Sequence, residues 1–170
     1  MRKQTETPSG RTADSPEQLL RNLEDAYNRR DIELYKDCLS SSFRFVLISD
    51  ETTDLGVDMD HDGLKDDWWD YDVEVRYTEN LFGYGSTESD VPAPSSILLD
   101  LQVPPETAWQ QSTGDSDDNS VQLVIPCYFD LLLSFGSNYQ DITASGYALF
   151  FVAQQDGVWR IERWQDESNI

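Results

Sequence analysis

The stretch Asp58-Met59-Asp60-His61-Asp62-Gly63-Leu64-Lys65-Asp66-Asp67-Trp68-Trp69-Asp70 holds the densest chemistry-bearing group in this 170-residue chain. Its core reads D-x-D-x-D-G-x-x-D. Calcium is a hard cation that takes six to eight oxygens, and a tight loop delivers them from alternate positions one, three and five. Asp58, Asp60 and Asp62 occupy those positions. Gly63 allows the sharp turn that would aim the Leu64 carbonyl inward, and Asp66 falls at the ninth position, where contact is often through water. The twelfth position, usually a bidentate Glu, is Trp69; Asp70 follows one place later and stands in as a candidate, as does Asp67. The expected metal set is therefore Asp58, Asp60, Asp62, Leu64, Asp66 and Asp70. The competing reading is a solvated acidic loop without an ion, whose crowded carboxylates repel one another.

Other reactive groupings are thinner. His61 is the single histidine, which rules out a histidine triad or a multi-histidine metal site, and its place between two proposed ligands turns it to solvent. Asp115, Asp117 and Asp118 lack the alternating trio followed by glycine and read as a solvated turn. Cys38 and Cys127 lie far apart without C-x-x-C spacing, among apolar neighbours, and read as buried thiols. Gly83-Tyr84-Gly85 has no following Lys-Ser or Lys-Thr and reads as a turn rather than a phosphate loop. Tyr27, Trp69, Tyr77 and Trp109 are the aromatics proposed to line a pocket, against the simpler reading that aromatics at such spacing are core.

Charge narrows the partners. With 12 Lys and Arg against 33 Asp and Glu, the net charge is −21, so nucleic acid and anionic membrane surfaces are excluded as default partners. Ten of the acids fall between Asp50 and Asp72, offset there by Lys65 alone. No apolar run reaches the ~18 residues of a membrane span. No organic cofactor is indicated by any motif.

These residues need elements to hold them. Residues 1–14 read as a flexible arm, residues 15–166 as a single domain with an acidic insertion at 50–67, and residues 167–170 as a tail. Ser15, Pro16 and Gln18 form a helix-start signal with a capping box. Leu19, Leu20, Leu23, Ala26 and Tyr27 then recur at helical spacing. Asp31 caps a short second helix that Ser40-Ser41-Ser42 ends, and Phe43, Phe45 and Leu47 alternate as a strand. Trp69, Val73, Tyr77 and Leu81 form a helical stripe, although Val73, Val75 and Tyr77 also alternate as a strand would; length and element order favour helix. Strands follow at Ile97–Val103, Val121–Phe135, Ile142–Gln154 and Val158–Trp164. Pro126 implies an edge position or bulge, and Asp156-Gly157 a hairpin.

Two stretches resemble a known family. Ala26-Tyr27-Asn28-Arg29-Arg30-Asp31, leading to Leu39 and Phe43, is similar to the Tyr-Asn-x-x-Asp junction of the nuclear-transport-factor-like (SnoaL-like, cystatin-like) cone family. Asp156-Gly157-Val158-Trp159-Arg160-Ile161 is similar to its final hairpin. The resemblance implies an α+β fold, with N-terminal helices packed on a strongly curved, mainly antiparallel sheet that forms a cone-shaped α+β barrel. It implies room for a small apolar ligand at the open end, and a homodimer through the sheet. That family contains isomerases, lyases and hydrolases as well as non-enzymatic domains, so the fold alone does not choose among them. The ketosteroid-isomerase branch needs a phenol and a carboxylate where this chain has Leu23 and Leu47 (or Val46), so its mechanism does not transfer. Asp62-Gly63-Leu64-Lys65-Asp66-Asp67-Trp68 in turn resembles the calcium loops of thrombospondin type-3 repeats and of bacterial exported proteins.

The expectation is a non-enzymatic small-molecule-binding or scaffold domain with a structural calcium loop, in an extracytoplasmic, periplasmic or surface-tethered setting of a bacterial protein. The alternatives are a cone-fold isomerase, lyase or hydrolase, and a sheet-mediated interaction module.

Overall fold

The computed structural model describes residues 12–47, 56–84, 92–112, 121–136 and 139–167. Most of the proposed arm, part of the acidic insertion, the Asp115–Asp118 turn, Gly85 and residues 168–170 lie outside the described residues.

Helix α1 spans Pro16–Arg29, and its start follows from the sequence: the Ser15 hydroxyl accepts the Gln18 backbone N–H at 3.1 Å, and Pro16 occupies the first turn. The capping box is half formed, because the Gln18 amide turns along the helix to donate to Asn22 at 2.7 Å. Arg30 ends the helix in the left-handed region at φ 54°. Asp31 then caps α2 (Ile32–Cys38), accepting from the Leu34 N–H at 3.1 Å.

Strand β1 (Leu39–Val46) begins immediately after α2, so Ser40, Ser41 and Ser42 form its first half rather than a helix end. Its pairing with the last strand shifts register between Leu39 and Arg44, and the Ser40 hydroxyl accepts the Ser42 N–H at 3.2 Å. The short serine side chains supply local hydrogen bonds where the ladder is irregular. Strand β2 (Trp68–Asp70) pairs with β1, and α3 (Tyr71–Glu79) follows, running into a π-helical turn at Asn80–Tyr84.

The rest is a meander: β3 (Ser96–Gln102), β4 (Gln110–Ser112), β5 (Gln122–Ser134), β6 (Ile142–Gln155) and β7 (Val158–Asp166). The sheet order is β2-β1-β7-β6-β5-β3, with β4 also on β5, and every pairing but β1–β7 is antiparallel. The three helices pack against one face of this curved mixed sheet, giving the cone-shaped α+β architecture. Gly157 at φ 83° and Asp156 at φ 53° supply the tight turn between β6 and β7. Pro126 sits where β5 lacks a partner on one side: Tyr128 pairs with Gln102 of β3, Val124 pairs with Gln110 of β4, and neither strand reaches Pro126. Its missing N–H is tolerated at that local edge.

The outer edge of β3 is covered by polar side chains of α1. Asn28 accepts the Leu99 N–H at 2.6 Å and donates to its carbonyl at 3.3 Å; Glu24 accepts the Leu101 N–H at 2.8 Å, and Arg21 donates to the Leu101 carbonyl at 3.1 Å. These side chains replace a neighbouring strand and close the edge to further pairing. The main core joins Leu19, Leu20 and Leu23 of α1 to Ile97, Leu99, Ile125, Phe150 and Ile161 of the sheet. Cys38 and Cys127 are both buried and form no disulfide. Among the described residues, no helix is long and apolar enough to cross a membrane.

Candidate functional site

Two groups of carboxylates stand out, one exposed and one buried. The exposed group is the acidic loop. Val57 and Asp66 form an isolated antiparallel bridge that closes it, and the Leu47 N–H donates to the Asp67 carbonyl at 2.7 Å, tying it to the end of β1. Val57 and Met59 pack on a small second core of Leu47, Trp69 and Val73. Inside the loop the aspartates hold the backbone. Asp58 accepts the Asp62 and Gly63 N–H groups at 3.1 and 2.8 Å, Asp62 accepts the Leu64 N–H at 2.8 Å, and Asp66 accepts the Met59 N–H at 2.9 Å. Gly63 takes φ 90°, a region where glycine carries no steric cost.

Carboxylate oxygens of Asp58, Asp60 and Asp66 converge within 4.8 Å of one another. Desolvation tends to raise the pKa of Asp58, but the N–H groups of Gly63, Asp62 and His61 outweigh it and hold that carboxyl below its ordinary value. Asp60 is pushed up, by desolvation first and then by the neighbouring charges of Asp62 and Asp66. The donor set is all oxygen, which suits a hard divalent cation. Asp62 contributes to the turn rather than to the convergent trio, and the Leu64 side chain is exposed. Asp70 lies outside the trio altogether. It is the N-cap of α3, its side chain accepting the Val73 N–H at 3.1 Å, because the chain passes through β2 between the loop and this residue.

The same three-residue strand corrects the helical stripe. Trp69 belongs to β2, and α3 buries Val73, Glu74 and Thr78 while Tyr77 stays 40% exposed. Helix α3 is thus rotated so that a glutamate and a threonine face inward. Glu74 is 5% exposed, and its Oε1 accepts the Trp69 indole N–H at 2.7 Å. Its Oε2 accepts the Tyr35 hydroxyl and, at 3.3 Å, the Thr78 hydroxyl. Desolvation raises the Glu74 pKa, and these three donors partly oppose the shift. Burial, then the Glu74 charge, raises the phenols of Tyr35 and Tyr27, so both stay neutral, and Tyr35 donates to the carboxylate.

Around this network lie aromatic rings. Tyr27 meets Tyr35 and Phe82 edge-on at 5.6 and 5.3 Å between centroids, and Trp69 stacks on Phe45 at 4.8 Å. Trp164 of β7 packs against Phe150, Phe45 and Tyr27 at 4.9, 5.5 and 6.3 Å. Its indole Nε1 is buried without a hydrogen-bond partner, the one such side-chain atom among the described residues. Of the four aromatics read from the sequence, Tyr27 lies in this interior, Trp69 bridges it to the acidic loop, and Tyr77 sits against Trp69 at the surface. Trp109 is partly buried at the margin of the main core beside β4, its indole donating to the Pro104 carbonyl at 2.9 Å. Nothing in the sequence singles out Glu74 or Trp164 as a site residue. An inward glutamate is one acid among 33, and only the pairing of Glu74 with Thr78 at helical spacing hinted at it.

No family model and no curated protein sequence matches the chain. Solved structures match its fold. A proposed scytalone dehydratase of Novosphingobium aromaticivorans aligns with a TM-score of 0.58 at 8% identity, covering 91% of this chain and 81% of its own. A cystatin-like-fold domain of unknown function from Nostoc punctiforme aligns at 0.52 with 14% identity, covering 89% and 74%. A hexachlorocyclohexane dehydrochlorinase, LinA-type3, of Novosphingobium barchaimii aligns at 0.52 with 10% identity, covering 89% and 82%. The chain has the cystatin-like, nuclear-transport-factor-like cone fold. Some neighbours with that fold are named as enzymes and others have no stated function.

Proposed function

We propose that this chain is a non-enzymatic binding domain whose cone takes a small, uncharged, largely apolar molecule carrying one hydrogen-bond acceptor. The observation that carries the reading is the unpartnered indole N–H of Trp164 amid aromatic rings. A buried donor left unmade costs about 1–3 kcal/mol, so a ligand oxygen that accepts from it gains what the apo protein forgoes. An indole N–H only donates, which selects a carbonyl, ether or similar acceptor.

A lyase or isomerase is the second reading, favoured by Glu74, a buried carboxylate with a raised pKa. Against it, three protein donors already occupy both Glu74 oxygens. The two nearby phenols are held neutral and serve as hydrogen-bonding groups rather than bases.

We also propose that the acidic loop holds one calcium ion through Asp58, Asp60 and Asp66, with a structural role at the end of β1. The convergent oxygens and the glycine turn support this reading. A loop missing its bidentate Glu binds weakly and fills at the millimolar calcium found outside the cytosol, which is the setting we propose for the chain.

The binding reading is tested by calorimetric titration with a neutral bicyclic ketone such as 1-indanone. Trp164→Phe keeps the packing but removes the donor, and is expected to weaken binding about tenfold. Equal affinity for both proteins, or no binding by either across a panel of such ketones, rejects it. Turnover of any panel member that vanishes in Glu74→Gln would establish the second reading instead.

A further inference from the structure

The sheet face turned away from the helices holds two arginines side by side. Register places Arg44 of β1 directly beside Arg163 of β7. Arg44 lies between Phe43 and Phe45, and Arg163 precedes Trp164, all of which pack inward, so both guanidiniums leave the sheet on the side opposite the cone. Both residues are exposed. Like charges directly opposite on neighbouring strands destabilise a sheet. In a chain of 33 acids and 12 bases an ion pair to each arginine would relieve that cost, yet among the described residues neither has one.

The acids beside them are engaged elsewhere. Asp70 of β2 pairs in register with Arg44, but its carboxylate accepts the Val73 N–H at the start of α3. Glu162, next to Arg163, accepts from Gln122 at 2.6 Å and from Gln155 at 3.1 Å. Glu167 accepts from Gln165 at 2.8 Å. Aromatic rings hold the arginines instead: the Arg44 guanidinium lies 4.0 Å over the Trp68 ring and that of Arg163 4.8 Å over Phe151. Arg163 adds one long hydrogen bond to the Gln165 side chain at 3.4 Å. A guanidinium laid on a ring keeps most of its N–H fork free for a carboxylate or phosphate. Neighbouring strands set the two forks roughly 5 Å apart at the backbone, close enough to share one oxyanion. The next row of the same face runs Val46, Gln165, Leu149, with Trp68 beside Val46. Val46 and Leu149 are partly exposed and give this row an apolar floor.

We infer that Arg44 and Arg163 form a binding site for a small molecule carrying one phosphate or carboxylate group on a short apolar body. The two guanidiniums grip the oxyanion, and the body lies across Val46 and Leu149. A long polyanion does not suit the site, because the net charge of −21 around it repels every further negative group. The site is on the other side of the sheet from Trp164, so it does not depend on the cone reading.

The test is calorimetric titration of the full chain with phenyl phosphate and with benzoate at low salt. At least one is expected to bind with a dissociation constant of about 1 mM, more weakly as salt rises, and the tighter of the two names the oxyanion. Inorganic phosphate, which lacks the apolar body, is expected to bind about tenfold more weakly than phenyl phosphate. R44Q and R163Q should each weaken binding about tenfold, and R44K/R163K at least as much, since lysine keeps the charge but loses the fork. W164F should leave it unchanged, which separates failure here from failure of the cone reading. No binding of either ligand, inorganic phosphate binding as tightly as phenyl phosphate, or R44K/R163K binding as tightly as the parent overturns the inference. Magnetic resonance of the arginine Nε–H groups checks the unaltered chain without relying on any variant's folding. Phenyl phosphate should move the Arg44 and Arg163 signals and leave those of Arg21 and Arg30, which donate to the Leu101 and Pro94 carbonyls, in place. A uniform drift of all four signals overturns the inference as well.

Discussion

Glu74 and the Asp58–Asp66 loop solve the same problem in opposite ways. Glu74 is a single carboxylate taken out of water, and the protein supplies its donors from three side chains on α2, β2 and α3. The loop gathers three carboxylates at the surface and supplies only backbone N–H groups, which hold the turn but cannot neutralise the charge. The buried site is complete without any guest. The exposed one stays electrostatically unbalanced until a cation arrives. The difference shows why a raised pKa is a poor guide by itself: desolvation leads the shift at Glu74 and at Asp60, yet only at Asp60 do neighbouring carboxylates add to it.

The contrast is broken most directly at Glu74. Glu74→Ala leaves the Tyr35 hydroxyl, the Thr78 hydroxyl and the Trp69 N–H without their acceptor and opens a void, and is expected to cost about 3–5 kcal/mol in urea unfolding. Glu74→Gln should cost less, about 1–3 kcal/mol, because its NH₂ faces one of those donors. The sign of the pH effect follows from the raised pKa. Above the folded-state value Glu74 is ionised in both states and its burial counts against folding. As pH falls through that value toward the ordinary 4.5, the folded protein takes up the proton first and this group's contribution becomes more favourable. The deficit of Glu74→Gln relative to the parent should therefore widen as pH falls through that window. A deficit independent of pH would show that Glu74 is not desolvated as described.

At the loop the comparison predicts a gain. Calcium at ten times its dissociation constant should stabilise the chain by about 1.4 kcal/mol, read as a shift of the thermal midpoint. The fluorescence of Trp68 and Trp69, which follow the loop, should respond over the same concentrations. Asp58→Ala and Asp60→Ala should abolish both responses, while Glu74→Gln should retain them. Absence of any shift in the parent at millimolar calcium leaves the loop a solvated turn.

Much of this fold was legible in the chain, and the misses share a cause. Ser15, Asp31 and Asp156-Gly157 act through bonds to residues within a turn, so spacing alone located α1, α2 and the last hairpin. Leu99, Leu101, Ile125 and Phe150 alternate cleanly because one sheet face is buried. Trp69 misled because its spacing to Val73 and Tyr77 is helical, while its actual place is set by pairing with Phe45 on β1, a contact across 24 residues of sequence. Ser40–Ser42 read as a helix end because nothing local announces a strand whose ladder is irregular. Glu74 and Trp164 were hidden for the same reason: their meaning lies in Tyr35, Phe45 and Phe150, contributed by other elements. The acidic loop was conspicuous because its spacing is itself the chemistry.

Asp70 is the residue on which the two regions compete, and the smallest expected effect decides between them. Counting along the sequence makes it a late ligand of the loop; the structure makes it the first hydrogen-bonding residue of α3. An N-cap aspartate replaced by alanine costs about 1 kcal/mol, through the lost bond to a helix N–H and the lost negative charge at the positive end of the helix. If Asp70 serves the helix alone, Asp70→Ala lowers the thermal midpoint with and without calcium by the same amount, and the calcium midpoint of the Trp fluorescence does not move. If it ligates the ion, the loss is confined to the calcium-bound protein and the titration shifts to higher concentration. Asp70→Asn separates the terms further. It caps nearly as well but donates no full charge to a cation, so parent-like stability with parent-like calcium affinity places Asp70 with α3, and weakened affinity at unchanged apo stability places it with the loop.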